Sequence, residues 1–350
     1  MSNAPSQKSM RKRVRVNDKT PGKPGSTKQT KPPKVKPMTG KEKLETILNG
    51  QIPKTPPHWE LVFQIEKEMF GMDRDVVAEA DRPAFQLDVY HRLVDEYDWA
   101  AIPGAYDPAS IERAKSTLGH KALVPAFEGS GVFWMPSGEN MMDFAVQLFE
   151  QPKELHAEAR RKCDTAKVFF KKAVDAGADF FVLTYDFGYN DAPFVSPEQF
   201  ADLVTPYLTE IVQSIHDLDR KVLLHSDGCV ESILGQLYAT GVDGYQSVDP
   251  QGQMDIKEVR AQYPDWILMG NVACNILQDI DEGKIKGSAH YCMTHGGVGK
   301  AYIFSTSNCI FHGMPPQSYK IMLDEYNRIV DEGILDMFEN SNPSGGYKRA

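Results

Sequence analysis

The chain has 350 residues, 41% of them hydrophobic and 25% charged, and its formal net charge is −9. The charge is unevenly distributed: residues 1–37 contain eleven Lys or Arg against a single Asp, a balance of +10, which leaves −19 on the remainder. Phosphate binding depends on clustered basic side chains, so an acidic body disfavours nucleic acid as the main ligand. Only the basic segment is suited to such a partner.

Residues 1–37 are rich in Lys, Pro and Gly and poor in large apolar side chains. Such a composition cannot bury enough surface to offset the entropy of ordering, so we expect a disordered tail. The tail is either a solubilising extension or an electrostatic tether for an acidic partner, either a protein or RNA. We also expect residues 341–350 to be flexible.

Two further features concern the location of the protein. No run of about 18 apolar residues occurs, so we expect no segment that spans a membrane. The five cysteines are an odd number without C-x-x-C spacing. Free thiols in a reducing cytoplasm fit this pattern better than a disulfide framework.

Eight apolar runs recur along the chain, each closed by polar or turn residues, and this pattern is typical of parallel strands that carry side chains to the rim of an α/β sheet. The runs span residues 57–66, 99–104, 122–129, 180–188, 221–228, 244–249, 267–271 and 302–308. The run 221–228 is the most informative, because a buried strand ends there in a histidine, a carboxylate and a glycine.

Helical patterns separate these runs. Ser196 followed by Pro197 and Gln199 predicts a capping box, and Pro206 predicts a kink or break near Thr205. Asp255 with Glu258 predicts a second capping box. A last helix should begin at Pro316 and stop at Gly333.

Alternation of strand and helix over this length predicts a single-domain α/β protein, a (β/α)8 TIM barrel over residues 38–340. A doubly wound open sheet is the alternative, because the pattern does not show whether the eighth strand pairs with the first.

Polar residues at the carboxyl ends of barrel strands are the candidates for chemistry. They are Glu66, Glu128, Tyr185, Asp186, His225, Asp227, Asp249, Asn271, Asn308 and Cys309. Imidazole, thiolate and carboxylate together suit zinc, which takes N, S and O ligands. Structural roles compete with this interpretation: His225 as a hydrogen-bonded residue, Cys309 as a small buried apolar one, and Asp186 and Asp249 as acceptors from loop amides.

Four segments have the form of known motifs: residues 187–200 (FGYNDAPFVSPEQF), 225–228 (HSDG), 269–272 (MGNV) and 302–309 (YIFSTSNC), the last followed by Pro315 and Pro316. Together they resemble the uroporphyrinogen decarboxylase superfamily, and the likeness covers most of residues 40–335. The resemblance implies a (β/α)8 barrel and one of two activities. The superfamily contains true decarboxylases and zinc-dependent methyltransferases that move a methyl group between a corrinoid protein and a thiol or a reduced folate.

Two departures from the decarboxylase pattern favour the methyltransferase branch. Decarboxylases hold a substrate with eight carboxylates partly through an arginine-rich segment, whereas residues 61–71 contain no arginine. Asn308 stands where decarboxylases carry a histidine. The methyltransferases ligate zinc with a His-x-Cys pair and a later cysteine; His225 and Cys309 match, but Asp227 replaces the middle cysteine. A carboxylate is a harder ligand than a thiolate.

The resemblance therefore implies methyl transfer between a corrinoid protein and a thiol or tetrahydrofolate, within a demethylation pathway. The predicted zinc ligands are His225, Cys309, Asp227 and Glu128. Asp186, Asp227 and Asn271 are the predicted catalytic residues, and Tyr185, Asp249 and Asn308 the predicted cofactor-binding ones. The alternatives are decarboxylation of a tetrapyrrole acetate, with Asp186 stabilising a protonated pyrrole, and a non-catalytic barrel that holds a corrinoid or tetrapyrrole.

Overall fold

The computed structural model describes residues 37–132, 136, 138–297 and 299–333. Nearly all of the predicted basic tail and the whole of the predicted flexible C-terminus, residues 341–350, lie outside the described residues. The unit that begins at Met38 is therefore the one described below.

Within the part of the chain that the structure describes, six short strands form a parallel sheet in which each strand pairs with the next one along the chain. They are β1 (Pro125–Glu128), β2 (Phe180–Thr184), β3 (Val222–His225), β4 (Gly244–Ser247), β5 (Ile267–Val272) and β6 (Tyr302–Thr306). Every residue of these strands is buried except Thr184, which is half-buried. Burial on both faces explains why the strands read as continuous apolar runs and not as alternating patterns.

Two further segments close the sheet into a barrel through isolated bridges. The first predicted run pairs with β6, since the backbone nitrogen of Trp59 donates to the Phe304 carbonyl at 3.2 Å. On its other side, the first run is hydrogen-bonded to the second predicted run, where the Ala100 nitrogen donates to the His58 carbonyl at 3.0 Å. Leu123, just before β1, completes the ring by donating to Ala100 at 3.0 Å. Eight chain segments therefore surround the core, and the open-sheet alternative is wrong.

Twelve α-helices accompany the strands in the described residues. They are α1 (Gly40–Leu48), α2 (Glu66–Phe70), α3 (Arg82–Tyr97), α4 (Pro108–Leu118), α5 (Met141–Glu150), α6 (Pro152–Asp175), α7 (Pro197–Leu203), α8 (Thr205–His216), α9 (Leu234–Ala239), α10 (Ile256–Gln262), α11 (Glu282–Cys292) and α12 (Pro316–Asp331). In the described part of the chain, no helix is both long enough and apolar enough to cross a membrane.

The predicted helix boundaries are largely confirmed. Ser196 forms both bonds of a capping box with Gln199. Val204 separates α7 from α8, as expected where Pro206 has no N–H to donate. Asp255 caps α10, but its carboxylate accepts from the backbone nitrogen of Lys257, one residue earlier than a capping box requires. Gly333 follows the end of α12 with a φ of 62°.

Candidate active site at the carboxyl ends of the strands

Three polar side chains converge where β2 and β3 end. His225 is the last residue of β3, and its Nε2 atom lies 3.5 Å from Oδ1 of Asp186 and 3.7 Å from Oδ2 of Asp227. One ligand atom from each residue lies within 4.8 Å of the other two, which is close enough for one metal ion. The strand register explains the convergence, because His225 pairs with Thr184 and so lies level with the end of β2.

His225 is held from the opposite side of its ring by β4. Gln246 is the register partner of His225, and its Oε1 atom forms a hydrogen bond with Nδ1 of the imidazole. The side chain of His225 is 10% exposed, whereas that of Asp186 is 57% exposed. The group is therefore buried on the histidine side and open to solvent on the Asp186 side.

Asp227 accepts hydrogen bonds with both carboxylate oxygens. The hydroxyl of Ser247 donates to Oδ1 at 2.8 Å, and the amide of Asn308 donates to Oδ2. Burial raises the pKa of the Asp227 carboxyl; His225 opposes this shift, and the carboxylates of Asp186 and Asp249 add to it. An acidic side chain in this environment binds a cation or a proton more readily than an exposed one does.

The loops that carry Asp186 and Asp227 are in direct contact. A Cβ atom added at Gly228 would lie 2.5 Å from the Gly188 carbonyl oxygen, and Gly228 has a φ of 77°. Asp249 fixes the same loop, because its carboxylate accepts from the backbone nitrogens of Gly228 at 3.1 Å and Gln251 at 3.0 Å. Asp249 thus has the loop-acceptor contacts that were the alternative to its predicted cofactor-binding role.

Glu128 and Tyr185 form a second, separate cluster. The Tyr185 hydroxyl donates to the Glu128 carboxylate, which also accepts from the backbone nitrogen of Ser130 at 2.9 Å. Both side chains are buried, with Glu128 7% and Tyr185 3% exposed. Glu128 is not a member of the metal-capable group around His225.

Asn271 lies at the end of β5, buried among protein partners. Its amide nitrogen donates to the Val248 carbonyl at 2.9 Å, and its amide oxygen accepts from the Cys292 thiol at 3.1 Å. These contacts link β5 to the turn after β4. The prediction that Asn271 donates to a bound acceptor remains a prediction.

Cys309 also lies outside the metal-capable group. Burial raises the pKa of its thiol well above the ordinary value, and the nearby carboxylates of Asp227, Glu60 and Asp186 raise this pKa further. The thiol is therefore protonated at neutral pH unless a cation compensates. Asp186, which the sequence suggested as a catalytic residue, is the third member of the group.

Sequence reasoning missed the two residues that support the group from β4. Gln246 and Ser247 belong to a run read simply as a strand, although two consecutive polar residues in an otherwise apolar run were a usable signal. It also missed Glu60, which is fully buried and accepts from the hydroxyls of Ser305 and Thr306.

A family model described as uroporphyrinogen decarboxylase (URO-D) matches residues 66–329. No curated protein sequence matches the chain significantly. Among solved structures, a methyltransferase from Methanosarcina mazei has a TM-score of 0.67 at 16% identity, covering 84% of this chain and 100% of its own. A protein named as a vitamin-B12 independent methionine synthase from Listeria monocytogenes has a TM-score of 0.50 at 12% identity, covering 79% of this chain and 97% of its own. These structural likenesses support the barrel fold.

Proposed function

Because the chain belongs to the uroporphyrinogen decarboxylase family, we propose that it is a methyltransferase of that superfamily, which moves a methyl group between a corrinoid protein and a thiol or tetrahydrofolate. The observation that carries the proposal is the group formed by Asp186, His225 and Asp227 at the ends of β2 and β3. The likeness in fold to the Methanosarcina methyltransferase supports the same choice.

The donor set fits a divalent cation. One imidazole nitrogen and two carboxylate oxygens lie within 4.8 Å of one another, and zinc accepts both ligand types. Asp186, His225 and Asp227 would hold the ion, and this set is harder than the one expected from the sequence because it lacks the thiolate of Cys309. When bound, the cation would supply Lewis acidity that lowers the pKa of a thiol acceptor.

The exposure and the hydrogen bonds of the residues at the site indicate what each of them does besides binding the cation. Asp186 is the most exposed member of the group, so it is the one placed to accept a proton from an incoming acceptor. Ser247 and Asn308 hold the Asp227 carboxylate by donating to its two oxygens. Asn308 thereby acts on Asp227, in addition to any contact with the corrinoid.

Decarboxylation is the second candidate, and the matched family description favours it. The charges at the site argue against it, since a substrate with eight carboxylates would meet Asp186, Asp227 and Asp249. Lys67, in the segment where decarboxylases carry arginines, forms a 2.7 Å ion pair with Asp73. Under this alternative, Asp186 would stabilise a protonated pyrrole.

Metal content provides the first test. Protein purified without chelator should contain about one equivalent of zinc, and His225→Ala and Asp186→Asn should each lower the content at least about tenfold. His120→Ala is the matched control, because His120 is exposed and follows α4, at the amino end of the strands. Equal zinc in all four proteins would contradict the assignment of these ligands.

Turnover provides the second test. The protein is incubated with methylcobalamin and either a panel of thiols or tetrahydrofolate, and loss of the cobalt–carbon bond is followed by absorbance. Uroporphyrinogen with measurement of carbon dioxide tests the alternative. Release of carbon dioxide while methylcobalamin stays intact with every acceptor would reject methyl transfer. Spectral binding of cobalamin without turnover would instead indicate a carrier.

A further inference from the structure

We infer that Gln246 and Ser247, consecutive residues at the end of β4, are positioning residues that orient His225 and Asp227 for the cation. This inference rests on the metal site of the proposed function, but its geometric basis does not involve methyl transfer. Gln246 contacts the imidazole and Ser247 contacts the carboxylate, so one short segment holds both ligands.

Gln246 determines which nitrogen of His225 carries the proton. The Nε2 atom of Gln246 lies 3.3 Å from the Thr306 carbonyl oxygen and 3.4 Å from the Ser307 carbonyl oxygen. Carbonyls only accept, so the amide nitrogen of Gln246 must face them, and its oxygen must face His225. That oxygen accepts the Nδ1 proton of the ring.

As a consequence, the lone pair of the His225 ring lies on the nitrogen that faces the two carboxylates. With the proton on Nδ1, the neutral imidazole has its free electron pair on Nε2. Nε2 is the atom that faces Asp186 at 3.5 Å and Asp227 at 3.7 Å. Hydrogen bonding of the far ring nitrogen is a common way in which proteins prepare a histidine to bind metal.

Ser247 reaches the same site because the backbone leaves the extended conformation. Successive side chains of a strand point to opposite faces, so the neighbour of Gln246 would ordinarily point away. Ser247 has a φ of 101° and Val248 a φ of 46°. These values are uncommon for residues other than glycine, and for a β-branched residue the conformation is a genuine outlier. The result is a serine hydroxyl 2.8 Å from Asp227.

β5 holds this turn in place. The Asn271 amide donates to the Val248 carbonyl at 2.9 Å. Gly270 lies directly against the turn, since a Cβ atom there would be 2.5 Å from the Ser247 carbonyl oxygen. Strained backbone persists where its surroundings fix it, and here the surroundings are buried residues of the neighbouring strand.

The test for Gln246 is nitrogen-15 NMR of the histidine side chains in metal-free protein, recorded where the rings are neutral, with His225→Ala to assign the signal. The wild-type ring should be the Nδ1–H tautomer. Gln246→Met removes the acceptor and should shift the ring toward Nε2–H, whereas Gln246→Glu keeps an acceptor and should retain Nδ1–H. Both variants lose the hydrogen bonds that Gln246 donates to the carbonyls of Thr306 and Ser307. If Gln246 had only that structural role, the two variants should therefore show the same tautomer of His225.

Cobalt binding supplies the second measurement, followed by visible absorbance. Gln246→Met and Ser247→Ala should each raise the Kd for Co²⁺ about tenfold or more. Ser214→Ala is the matched control, because Ser214 donates to the Ile211 carbonyl on α8. An Nε2–H wild-type tautomer, or unchanged Kd values in both variants, would overturn the inference. If the tautomer is as expected but no cation binds, the positioning role for a metal is also overturned. Loss of methyl transfer alone would count only against the proposed function.

Discussion

Glu60 and Thr306 join the first segment of the barrel to the last strand. The Glu60 carboxylate is fully buried and accepts from the Thr306 backbone nitrogen at 3.0 Å and from the Thr306 hydroxyl at 2.7 Å. Ser305 donates to the same oxygen at 2.8 Å. The barrel is thus closed by side-chain hydrogen bonds as well as by the bridge between His58 and Phe304.

Replacing Glu60 should therefore destabilise the barrel in proportion to the donors left unpaired. Glu60→Met leaves the three donors of Ser305 and Thr306 without an acceptor, and we expect a loss of roughly 3 kcal/mol or more. Glu60→Gln keeps one acceptor oxygen and should cost only about 1 kcal/mol. Urea unfolding measures both. Glu112→Met, on the exposed face of α4, is the control; a loss for Glu60→Met no larger than for Glu112→Met would contradict the prediction.

Alanine substitutions at two glycines distinguish the cost of steric crowding from the cost of backbone strain. Gly228 and Gly50 have nearly equal φ values, 77° and 75°, but an added Cβ would clash only at Gly228. Gly50→Ala should cost about 1 kcal/mol through conformation alone. Gly228→Ala should cost at least about 3 kcal/mol, because the clash adds to the strain. It should also weaken Co²⁺ binding by separating the loops of Asp186 and Asp227. Equal unfolding free energies for the two variants would contradict the prediction, because they would show that the loops of Asp186 and Asp227 accommodate the added Cβ atom at no cost.

Asp227→Asn should raise the Tm of the metal-free protein, kept so by a chelator, by about 1–3 °C at neutral pH. Burial raises the Asp227 pKa above its ordinary value of 3.8, so the folded state binds this proton more tightly than the unfolded state does. The wild type then loses stability as the pH rises through the raised pKa, and the amide does not. The difference between the proteins should vanish below about pH 3.8, where both states of the wild type are protonated. Calorimetry across this range checks the sign, and a constant difference would contradict it.

Thiol reactivity should follow burial. Burial raises the pKa of the Cys292 thiol to about 12, so at pH 8 on the order of one molecule in ten thousand carries the thiolate. Cys229 is half-buried and should be alkylated first, with Cys163, Cys274 and Cys292 protected until the protein unfolds. Iodoacetamide labelling followed by peptide mass spectrometry measures the order. Early labelling of Cys292 would show that the contact between α11 and the carboxyl end of β5 opens in the native state.

The first two strand segments show where sequence prediction of the fold reached its limit. The run 57–66 was predicted as one strand, but only isolated bridges form there, and α2 begins at Glu66. Pro56 and Pro57 have no N–H to contribute to a ladder. The apolar pattern gave the position of the segment correctly, because burial depends on residue type, but its hydrogen bonding depends on the neighbouring strands.

For the site, the sequence determined which residues lie at the carboxyl ends of the strands, because an apolar run that stops at a polar residue marks the rim. His225, Asp227 and Asp186 were found in this way. Only the tertiary structure decided which of them meet. The register between β2 and β3 brings Asp186 to His225, while Cys309 and Glu128 lie outside that group. Register and positive φ values arise from contacts between segments far apart in the chain, and residue order alone does not contain those distances.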